Sequence, residues 1–260
     1  MDYGLQGTRA FVAAGAHGIG RAIADLLAAE GACVIVADRD EDALQAHGGQ
    51  WDGTIAADLS SADGVQAAVD YVLRRFDGPP AILINNLGVG DATPFEQTTD
   101  DRWLASFNVN LMGSVRLSRA LVPRMAALGS AAVVNTGSDL AKQPEPDFVD
   151  YGSFKAALLY LTKALARQYA PAVRVNAVLP GPIWSRMWTR PGGIVDQLVT
   201  HYDVTDRDEA VNRFLRDRQM PMGIGQPEDV AHAAVFLASP LARFITGAGL
   251  DIGGTIRGLI

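Results

Sequence analysis

Short apolar runs that alternate with longer, helix-patterned stretches constrain the fold of this chain more than any other feature. Several of the runs are apolar without alternation, which is the pattern of strands covered on both faces. They are Arg9–Ala14, Ala32–Ala37, Gly53–Ala57, Ala81–Asn85, Ala131–Thr136, Val173–Val178 and Leu250–Ile252. Repeated strand–helix–strand order implies parallel strands joined by right-handed crossovers. The sequence therefore predicts an α/β fold, a doubly wound parallel sheet of about seven strands with helices on both faces.

Composition indicates one globular domain and excludes several classes of protein. Of the 260 residues, 48% are hydrophobic and 20% charged, so the chain can bury a core, and no repeat or linker divides it. We therefore expect a single domain over residues 1–260. The net charge of −7 opposes nucleic-acid binding, which needs clustered cations. The sequence shows no leader, no run of the ~20 apolar residues that span a membrane, and one cysteine only, so we expect a cytoplasmic protein without membrane or nucleic-acid partners.

Two long helical stretches, 100–128 and 150–169, predict an oligomer. Residues 156–161 are apolar on nearly every side, and a helix that is apolar all round is buried all round. One side can pack on the sheet, so we expect the other side to meet a second subunit. The sequence predicts a homo-oligomer, either a dimer or a tetramer, formed through these two helices.

The segment 183–222 fits the strand–helix pattern poorly. It is rich in aromatic residues and methionines and is interrupted by Pro191-Gly192-Gly193. Long irregular connections are usually functional, so we interpret this segment as a lid over an apolar substrate pocket. The alternative is an ordinary pair of helices packed on the surface.

A glycine-rich turn, Ala13-Ala14-Gly15-Ala16-His17-Gly18-Ile19-Gly20, follows the first predicted strand. Such a turn lets the backbone approach a diphosphate, and the N–H groups that open the next helix attract the anion. Asp38 ends the second strand, where a carboxylate can bind both ribose hydroxyls of an adenosine and would repel a 2′-phosphate. NAD is therefore predicted over NADP, although Arg39 could weaken this preference. Asp38 could instead cap the following helix.

Polar residues also end the third and fourth predicted strands. Asp58 closes the third strand, where it could bind an adenine amino group or cap the helix near Ser60. Asn85-Asn86-Leu87-Gly88 closes the fourth strand. This is the carboxyl edge, where parallel sheets bind their ligands.

Tyr151 and Lys155 are four residues apart on a predicted helix, which puts a phenol and an ammonium group on one face. A nearby cation favours phenolate and lowers the pKa of a tyrosine from about 10 toward working pH. Tyr151 would then be a general acid/base for an alcohol or ketone oxygen. Ser138 follows the fifth strand, 13 residues before Tyr151, and its hydroxyl could hold the substrate oxygen.

The chain resembles the short-chain dehydrogenase/reductase family over nearly its whole length. The matching motifs are, in order, Gly18-Ile19-Gly20, Asn85-Asn86-Leu87-Gly88, Asn108-Val109-Asn110, Ser138, Tyr151 with Lys155, Pro180-Gly181-Pro182-Ile183, Ile245-Thr246-Gly247 and Asp251-Ile252-Gly253-Gly254. The resemblance implies a Rossmann fold and NAD(P)-dependent hydride transfer without a metal. It also implies that Tyr151 is the acid/base and that Ser138 positions the carbonyl oxygen. Lys155 would hold the nicotinamide ribose and lower the pKa of Tyr151, and Asn110 would support a water-linked proton path to Lys155.

The turn chemistry and the resemblance together define an expected cofactor site and substrate site. The cofactor set is Gly15, His17, Gly18, Ile19, Gly20, Asp38, Arg39, Asp58, Leu59, Asn86, Leu87, Gly88, Tyr151, Lys155, Pro180, Gly181, Ile183 and Ser185. By resemblance, the Ile183 backbone would meet the nicotinamide carboxamide, and Ser185 would lie near the diphosphate. The expected substrate residues are Gln143, Phe148, Trp184, Met187 and Trp188. Their aromatic rings favour an apolar or ring-shaped substrate, whereas Gln143 and Glu145 would suit a polyol or a sugar.

The chain departs from the family pattern at three places in this expected site. Ala13-Ala14 replaces the usual Thr-Gly of the turn, and we expect Gly15 to restore the lost backbone freedom. Leu87 stands where the family usually has alanine, close to the expected ribose. His17 stands where NADP-preferring members often carry a basic residue.

The sequence predicts an NAD(H)-dependent oxidoreductase that interconverts a secondary alcohol and a ketone, with Tyr151 as general acid/base. One alternative is a ketoreductase acting on acyl-carrier or CoA thioesters, in which three arginines would meet an acidic carrier: Arg116, Arg119 and Arg124. A second alternative, a dinucleotide-binding regulator without turnover, would be favoured by a broken catalytic set, and this set is intact. Enoyl reductases of the family place their Tyr and Lys farther apart than Tyr151 and Lys155.

Overall fold

One parallel sheet organises the residues that the computed structural model describes, 2–47 and 49–254. Its strands are β1 (Arg9–Ala13), β2 (Cys33–Asp38), β3 (Gly53–Ala56), β4 (Ile82–Asn85), β5 (Ala131–Thr136), β6 (Val173–Pro180) and β7 (Gly249–Ile252). Their order across the sheet is β3-β2-β1-β4-β5-β6-β7. The predicted fold class, a doubly wound α/β domain, is therefore confirmed.

Ten α-helices in the described part of the chain connect and flank these strands. They are α1 (Gly18–Ala29), α2 (Glu41–His47), α3 (Ala62–Phe76), α4 (Asp100–Phe107), α5 (Gly113–Ala126), α6 (Val149–Tyr169), α7 (Arg186–Thr189), α8 (Ile194–His201), α9 (Arg207–Asp217) and α10 (Pro227–Ala238). Polar side chains cap several starts, as where the Ser61 hydroxyl accepts a hydrogen bond from the Gly64 N–H. A π-helix over Asn108–Met112 joins α4 to α5, so the predicted long helix over 100–128 is helical from 100 to 126 but not regular.

Alternating side chains of the strands build two cores, one on each face of the sheet. Val12 and Val36 belong to the core under α1 and α10. Phe11 and Ile35 belong to the core under α3 and α5. Each fully buried side chain of this kind contributes about 1.5–3 kcal/mol, which explains why the strand sequences are apolar without alternation.

The strand order reverses between β1 and β4, and a crevice opens at the carboxyl edge of the sheet at that point. The register levels the strand ends there, because Ala13 pairs with both Ala37 and Asn85. Loops that follow β1, β2, β3 and β4 therefore meet around one crevice. The candidate site residues at these strand ends are brought together by this topology.

The segment 183–222 folds mainly as three short helices, α7, α8 and α9. The Trp188 ring packs edge-on against Trp184 and Phe214, at centroid distances of 5.6 and 5.5 Å. This aromatic cluster anchors α7 to α9. None of the helices among the described residues combines the length and apolar character needed to cross a bilayer.

Candidate active site

Three predicted catalytic side chains meet at the carboxyl edge of β4 and β5. Ser138 follows β5 by two residues, and Tyr151 and Lys155 lie in the first two turns of α6. A hydrogen bond joins the hydroxyls of Ser138 and Tyr151. The Lys155 Nζ lies 5.5 Å from the centre of the Tyr151 ring and donates to the backbone carbonyls of Leu87 and Thr136, each at 2.8 Å. The sequence prediction that these residues share one site is thus reproduced in the geometry.

The electrostatics of this trio differ from the sequence expectation. Burial raises the pKa of Tyr151 to about 12, against the lowering effect of its hydrogen bond with Ser138. Burial lowers the pKa of Lys155 to about 7. The prediction that Lys155 lowers the pKa of Tyr151 is therefore wrong for this structure, because both groups are removed from water. Helical spacing reveals that two side chains share a face but not how deeply that face is buried.

Asn110 lies inside the π-helix, and its side chain is fully buried. Its amide holds the loop after β4 from both sides, accepting from the Val89 N–H at 2.9 Å and donating to the Val89 carbonyl at 3.0 Å. A Cβ built on Gly88 would lie 3.1 Å from the Lys155 Nζ and 3.7 Å from the Asn110 Oδ1. Asn110 is thus close to Lys155, and the water-linked proton path between them stays a prediction.

A cavity of about 480 Å³ occupies the crevice between β1 and β4. Eight predicted cofactor residues line it, namely His17, Asp38, Arg39, Asp58, Leu59, Asn86, Leu87 and Gly88. Gly90 also lines it, and a Cβ on Gly90 would lie 3.0 Å from the ring of Tyr151. Lys155 and Tyr151 therefore lie next to two glycines of the cavity lining, Gly88 and Gly90.

Ten predicted cofactor residues are not part of this lining: Gly15, Gly18, Ile19, Gly20, Tyr151, Lys155, Pro180, Gly181, Ile183 and Ser185. Several support it from behind. A Cβ on Gly20 would lie 2.2 Å from the Ala14 carbonyl oxygen, so only glycine fits there. The segment that follows β6 is held to Gly225 by two backbone hydrogen bonds, one from the Trp184 N–H and one to the Pro182 carbonyl. These two bonds do not use the backbone N–H or carbonyl of Ile183.

The glycine-rich turn does not use Gly15 as the sequence suggested. The left-handed conformation falls on Ala14, at φ 58°, and not on Gly15. A Cβ on Gly15 would lie 2.6 Å from Val36 Cγ1, so Gly15 is needed for close packing of the turn on β2. The expectation that Gly15 restores the backbone freedom lost at Ala14 is wrong.

The two candidate carboxylates at strand ends are not helix caps in this structure. Asp38 accepts hydrogen bonds from the N–H groups of Ala16 and Asp40, and Asp40 caps α2 through the Ala43 N–H. Asp58 accepts from the N–H and the hydroxyl of Ser60, which lowers its pKa. Ser61 caps α3. Both carboxylates therefore belong to residues that line the cavity, and the helices that follow them are capped by Asp40 and Ser61 instead.

A charged cluster at the cavity was not predicted from the sequence. The Asp40 carboxylate binds His17 Nε2 at 2.7 Å and Arg186 Nη1 at 3.2 Å. The hydrogen bond from His17 is the main cause that lowers the pKa of Asp40. Arg190 forms an ion pair with Asp91 in the loop after β4. Helix α7 is thus tied down on both sides of the cavity by residues that are distant in sequence.

Leu87 fits the site without filling the cavity. Its side chain is 4% exposed and packs where a Cβ on Gly113 would otherwise lie, at 2.5 Å from Leu87 Cδ2. Its backbone carbonyl accepts the hydrogen bond from Lys155. The larger side chain is accommodated because Gly113, at the start of α5, leaves space for it.

The predicted substrate residues fall in different places. Gln143 lines a second cavity, of about 30 Å³, beside Ser138. The Phe148 ring stands edge-on to the Tyr151 ring at 6.5 Å, and Met187 lines the larger cavity. Trp184 and Trp188 lie in the aromatic cluster that anchors α7. Within the described ranges, the lining of neither cavity includes these two tryptophans.

The larger cavity fits a dinucleotide. A Cβ on Gly20 would collide with the Ala14 carbonyl oxygen, and one on Gly88 would crowd the Lys155 Nζ. Asp38 and Asp58 line the cavity, and their binding of the adenosine stays a prediction. The start of α1 faces the same turn, which suits a diphosphate. Over residues 2–47 and 49–254, no cluster of His, Cys, Asp or Glu side chains is arranged to hold a metal ion.

Comparisons with known proteins agree with this geometry. Residues 13–254 match the family model described as enoyl-(acyl carrier protein) reductase. Galactitol 2-dehydrogenase (L-tagatose-forming) of Cereibacter sphaeroides is 34% identical, over 98% of each chain. L-Sorbose reductase from Gluconobacter frateurii, solved with NADPH and L-sorbose, gives a TM-score of 0.91 at 29% identity over 100% of each chain. 3-Ketoacyl-(acyl-carrier-protein) reductase from Brucella melitensis, solved with NADH, gives a TM-score of 0.83 at 30% identity, over 96% of this chain and 98% of that one.

The chain therefore belongs to the short-chain dehydrogenase/reductase family, as its ordered motifs indicated. It is an oxidoreductase with a Rossmann-type fold, and the three residues predicted to be catalytic, Ser138, Tyr151 and Lys155, lie together in its structure.

Proposed function

We propose that this protein is an NAD(H)-dependent oxidoreductase that interconverts a secondary alcohol and a ketone. One observation carries the proposal: the Ser138 and Tyr151 hydroxyls are hydrogen-bonded to each other beside Lys155, next to glycines that line a cavity suited to a dinucleotide. Relatives that act on alcohols and ketones, such as galactitol 2-dehydrogenase and L-sorbose reductase, support the same reaction class.

The protein's own groups supply proton transfer and orientation. With a pKa of about 12, the Tyr151 phenol is protonated at neutral pH, so it can donate its proton to a ketone oxygen that Ser138 also binds. Lys155, with a pKa of about 7, gains and loses a proton near neutral pH, and its Nζ lies 5.5 Å from the centre of the Tyr151 ring. A nicotinamide dinucleotide, when bound, supplies the hydride chemistry. Asp38, Asn86 and the glycine turn would hold it.

The mechanism is tested by Tyr151→Phe. We expect its kcat to fall by about 10²- to 10⁴-fold, because general acid–base catalysis contributes that much, while cofactor affinity measured by fluorescence stays within a few-fold. Tyr160→Phe is the matched control, since Tyr160 lies on the same helix and is 80% exposed. Near-normal turnover of Tyr151→Phe would contradict the assigned role.

NAD is proposed over NADP because Asp38 lines the cavity beyond β2 and would repel a 2′-phosphate. His17, the basic group that would favour NADP, is held by Asp40. Arg39 acts in the opposite sense, and related structures hold either NADPH or NADH. The test is kcat/KM with each cofactor: a higher value with NADP would overturn this preference.

Substrate class separates the leading proposal from its alternatives. Polyol and sugar relatives favour a hydroxylated substrate, which agrees with Gln143 at the second cavity. The thioester ketoreductase alternative is supported by the Brucella melitensis relative. However, Arg116 is engaged within the subunit by the Ser60 carbonyl and by Asn108, which weakens the expected carrier-binding surface. Assays with NAD and polyols, against NADPH and 3-oxoacyl thioesters, distinguish the two.

Assembly and the lid complete the proposal. Exposed apolar residues on α4 and α6, Leu104 and Tyr160, support a homo-oligomer through these helices. Arg186, Met187 and Arg190 line the larger cavity, which supports a lid role for the start of the segment 183–222. The cytoplasmic location stays a prediction from the sequence.

A further inference from the structure

An acidic residue stands directly beside the catalytic serine. Asp139 follows Ser138 in the chain, and its Oδ1 accepts a hydrogen bond from the Ser138 hydroxyl at 3.1 Å. The same oxygen accepts from the Leu140 N–H at 2.8 Å. Asp139 also lines the second cavity, together with Gln143. Asp139 is therefore a hydrogen-bond partner of the Ser138 hydroxyl and also a residue of the cavity next to it.

The charges around Asp139 leave it as an acceptor. Arg218 lines the same cavity, but its guanidinium forms an ion pair with Glu145. Arg218 and Glu145 act on the pKa of Asp139 in opposite directions, and burial raises that pKa. The two paired side chains offset each other, so the wall carries one further carboxylate beside the reacting centre.

We infer that Asp139 accepts a hydrogen bond from a substrate hydroxyl on the carbon next to the reacting carbon, so that the site selects vicinal diols and α-hydroxyketones. This inference rests on the proposed alcohol–ketone function and names its substrate class. It concerns the residue after the catalytic serine, which takes no part in the mechanism above.

The Ser138 hydroxyl carries a single proton and can donate to one acceptor at a time. In the structure that proton is donated to Asp139, so Ser138 must release Asp139 before it can donate to a substrate oxygen. A buried carboxylate that loses a donor is unfavourable. A hydroxyl on the adjacent substrate carbon replaces the lost donor, because neighbouring oxygens of a vicinal diol lie about one hydrogen-bond length apart, as Ser138 Oγ and Asp139 Oδ1 do.

The same exchange disfavours two other kinds of substrate. A simple alcohol leaves Asp139 without the donor that Ser138 gave up, and sites built for a hydroxyl discriminate against molecules that lack it. A substrate with a carboxylate or phosphate at the adjacent carbon would place like charges together. The selected substrates are therefore neutral at that carbon and carry a hydroxyl there.

The test compares the oxidation of vicinal diols with that of matched simple alcohols, with NAD as the cofactor in every assay. Initial rates are measured for butane-2,3-diol against butan-2-ol and for trans-cyclohexane-1,2-diol against cyclohexanol. We expect wild-type kcat/KM to favour the diols by about 10- to 100-fold, the size of one charge-assisted hydrogen bond. In Asp139→Ala the ratio should fall toward one, mainly through a higher KM for the diols. Asp139→Asn keeps the side-chain shape and a weaker acceptor. Its diol-to-alcohol ratio of kcat/KM should therefore lie between those of the wild type and Asp139→Ala.

The control is Asp52→Asn, which removes a carboxylate that accepts from the Val34 N–H far from the site and should leave the ratio unchanged. A wild-type ratio near one, or a ratio that neither Asp139 variant changes, would overturn the inference while the alcohol–ketone function stands. If the wild type oxidises none of the four alcohols and reduces none of the matching ketones, the proposed function fails and the inference with it. Should Asp139→Ala not fold, Asp139→Asn decides the outcome.

Discussion

At the scale of single residues, Ala14 is the non-glycine residue of the cofactor turn that adopts a left-handed backbone conformation. Its φ of 58° is a conformation that costs a residue with a Cβ roughly 1–2 kcal/mol. The turn keeps its shape because neighbouring groups determine it: the Asn86 side chain donates to the Ala14 carbonyl, and Ala14 N–H donates to the Ala37 carbonyl. These hydrogen bonds, to Ala37 in β2 and from Asn86 directly after β4, offset the conformational cost at Ala14.

We predict that Ala14→Gly raises the free energy of unfolding by about 0.5–1 kcal/mol, because glycine adopts positive φ without a penalty, partly offset by its more flexible unfolded chain. Calorimetry should show a melting temperature higher by about 2 °C. The matched variant Gly15→Ala should lower it, since the new Cβ would lie 2.6 Å from Val36. A lower melting temperature for Ala14→Gly would contradict the role assigned to the left-handed residue.

Lys155 gives stability a pH dependence whose sign follows from burial. In the folded protein it keeps its proton only below about pH 7, whereas in the unfolded chain it does so below about 10.4. Between these values the unfolded chain binds the extra proton, so the free energy of unfolding rises with pH, by up to about 1.4 kcal/mol per unit. Above about pH 10, Tyr151 reverses the trend, because its pKa is about 12 in the folded state.

Denaturant unfolding at several pH values between 7 and 10 measures this effect. Stability should rise over that window for the wild type and stay nearly flat for Lys155→Met. Lys163→Met, at an exposed position of the same helix, should keep the wild-type slope. Parallel curves for wild type and Lys155→Met would show that Lys155 is not the group responsible.

At the scale of elements, the strands were predictable and the segment 183–222 was not. Each predicted strand lies within two residues of its observed bounds, because strands covered on both faces are plain apolar runs. Only β6 continues for two residues more, through Leu179 and Pro180, which pair with Asp251 and Ile252 of β7. That extension depends on a partner strand about 70 residues later, which local pattern does not reveal.

The site shows the same division between local and distant information. Ser138, Tyr151 and Lys155 were predictable because helical spacing and strand ends are local properties. The link of Arg186 to Asp40 was not, because it joins α7 to the loop after β2 across the cavity. The short helix α7 carries too few residues to form by its own propensity, and the packing of Trp188 on Phe214 holds it against α9.

We predict that Arg190→Ala raises the KM for the cofactor several-fold without changing the melting temperature by more than about 1 °C. The pair with Asp91 is exposed, and exposed pairs add little stability, but this one fixes α7 beside the cavity. Arg207→Ala, which breaks the exposed pair with Asp196 between α8 and α9, is the control and should leave KM unchanged. Equal KM values for both variants would refute the role of the Arg190 pair.

At the scale of the whole molecule, α4 and α6 pack against each other and each exposes an apolar side chain. The Phe154 ring packs against Trp103 and Phe107, at centroid distances of 5.6 and 5.4 Å, and joins the two helices. Leu104 and Tyr160 on these helices are exposed. Since exposed apolar patches mark interaction sites, this face is the one through which we expect copies of the chain to associate.

Tyr160→Glu should therefore lower the mass measured by analytical ultracentrifugation at micromolar concentration, because it places a charge in the proposed interface. Gln45→Glu introduces the same charge at an exposed position of α2 and should leave the mass at the wild-type value. An unchanged mass for Tyr160→Glu would exclude this face as the interface.

The number of residues in the π-helix at 108–112 determines how the outer face is oriented relative to the site. The π-helix places one more residue in its turn than an α-helix has, and each residue of an α-helix turns by about 100°. Deleting Asn108 or Val109, the two residues of this turn that precede Asn110, would leave a regular helix in which Leu104 and Asn110 are rotated by about that angle relative to each other. Leu104 would then no longer face outward while Asn110 faces Val89. The length of this one turn sets the phase between the surface where subunits would meet and the pocket where chemistry would occur.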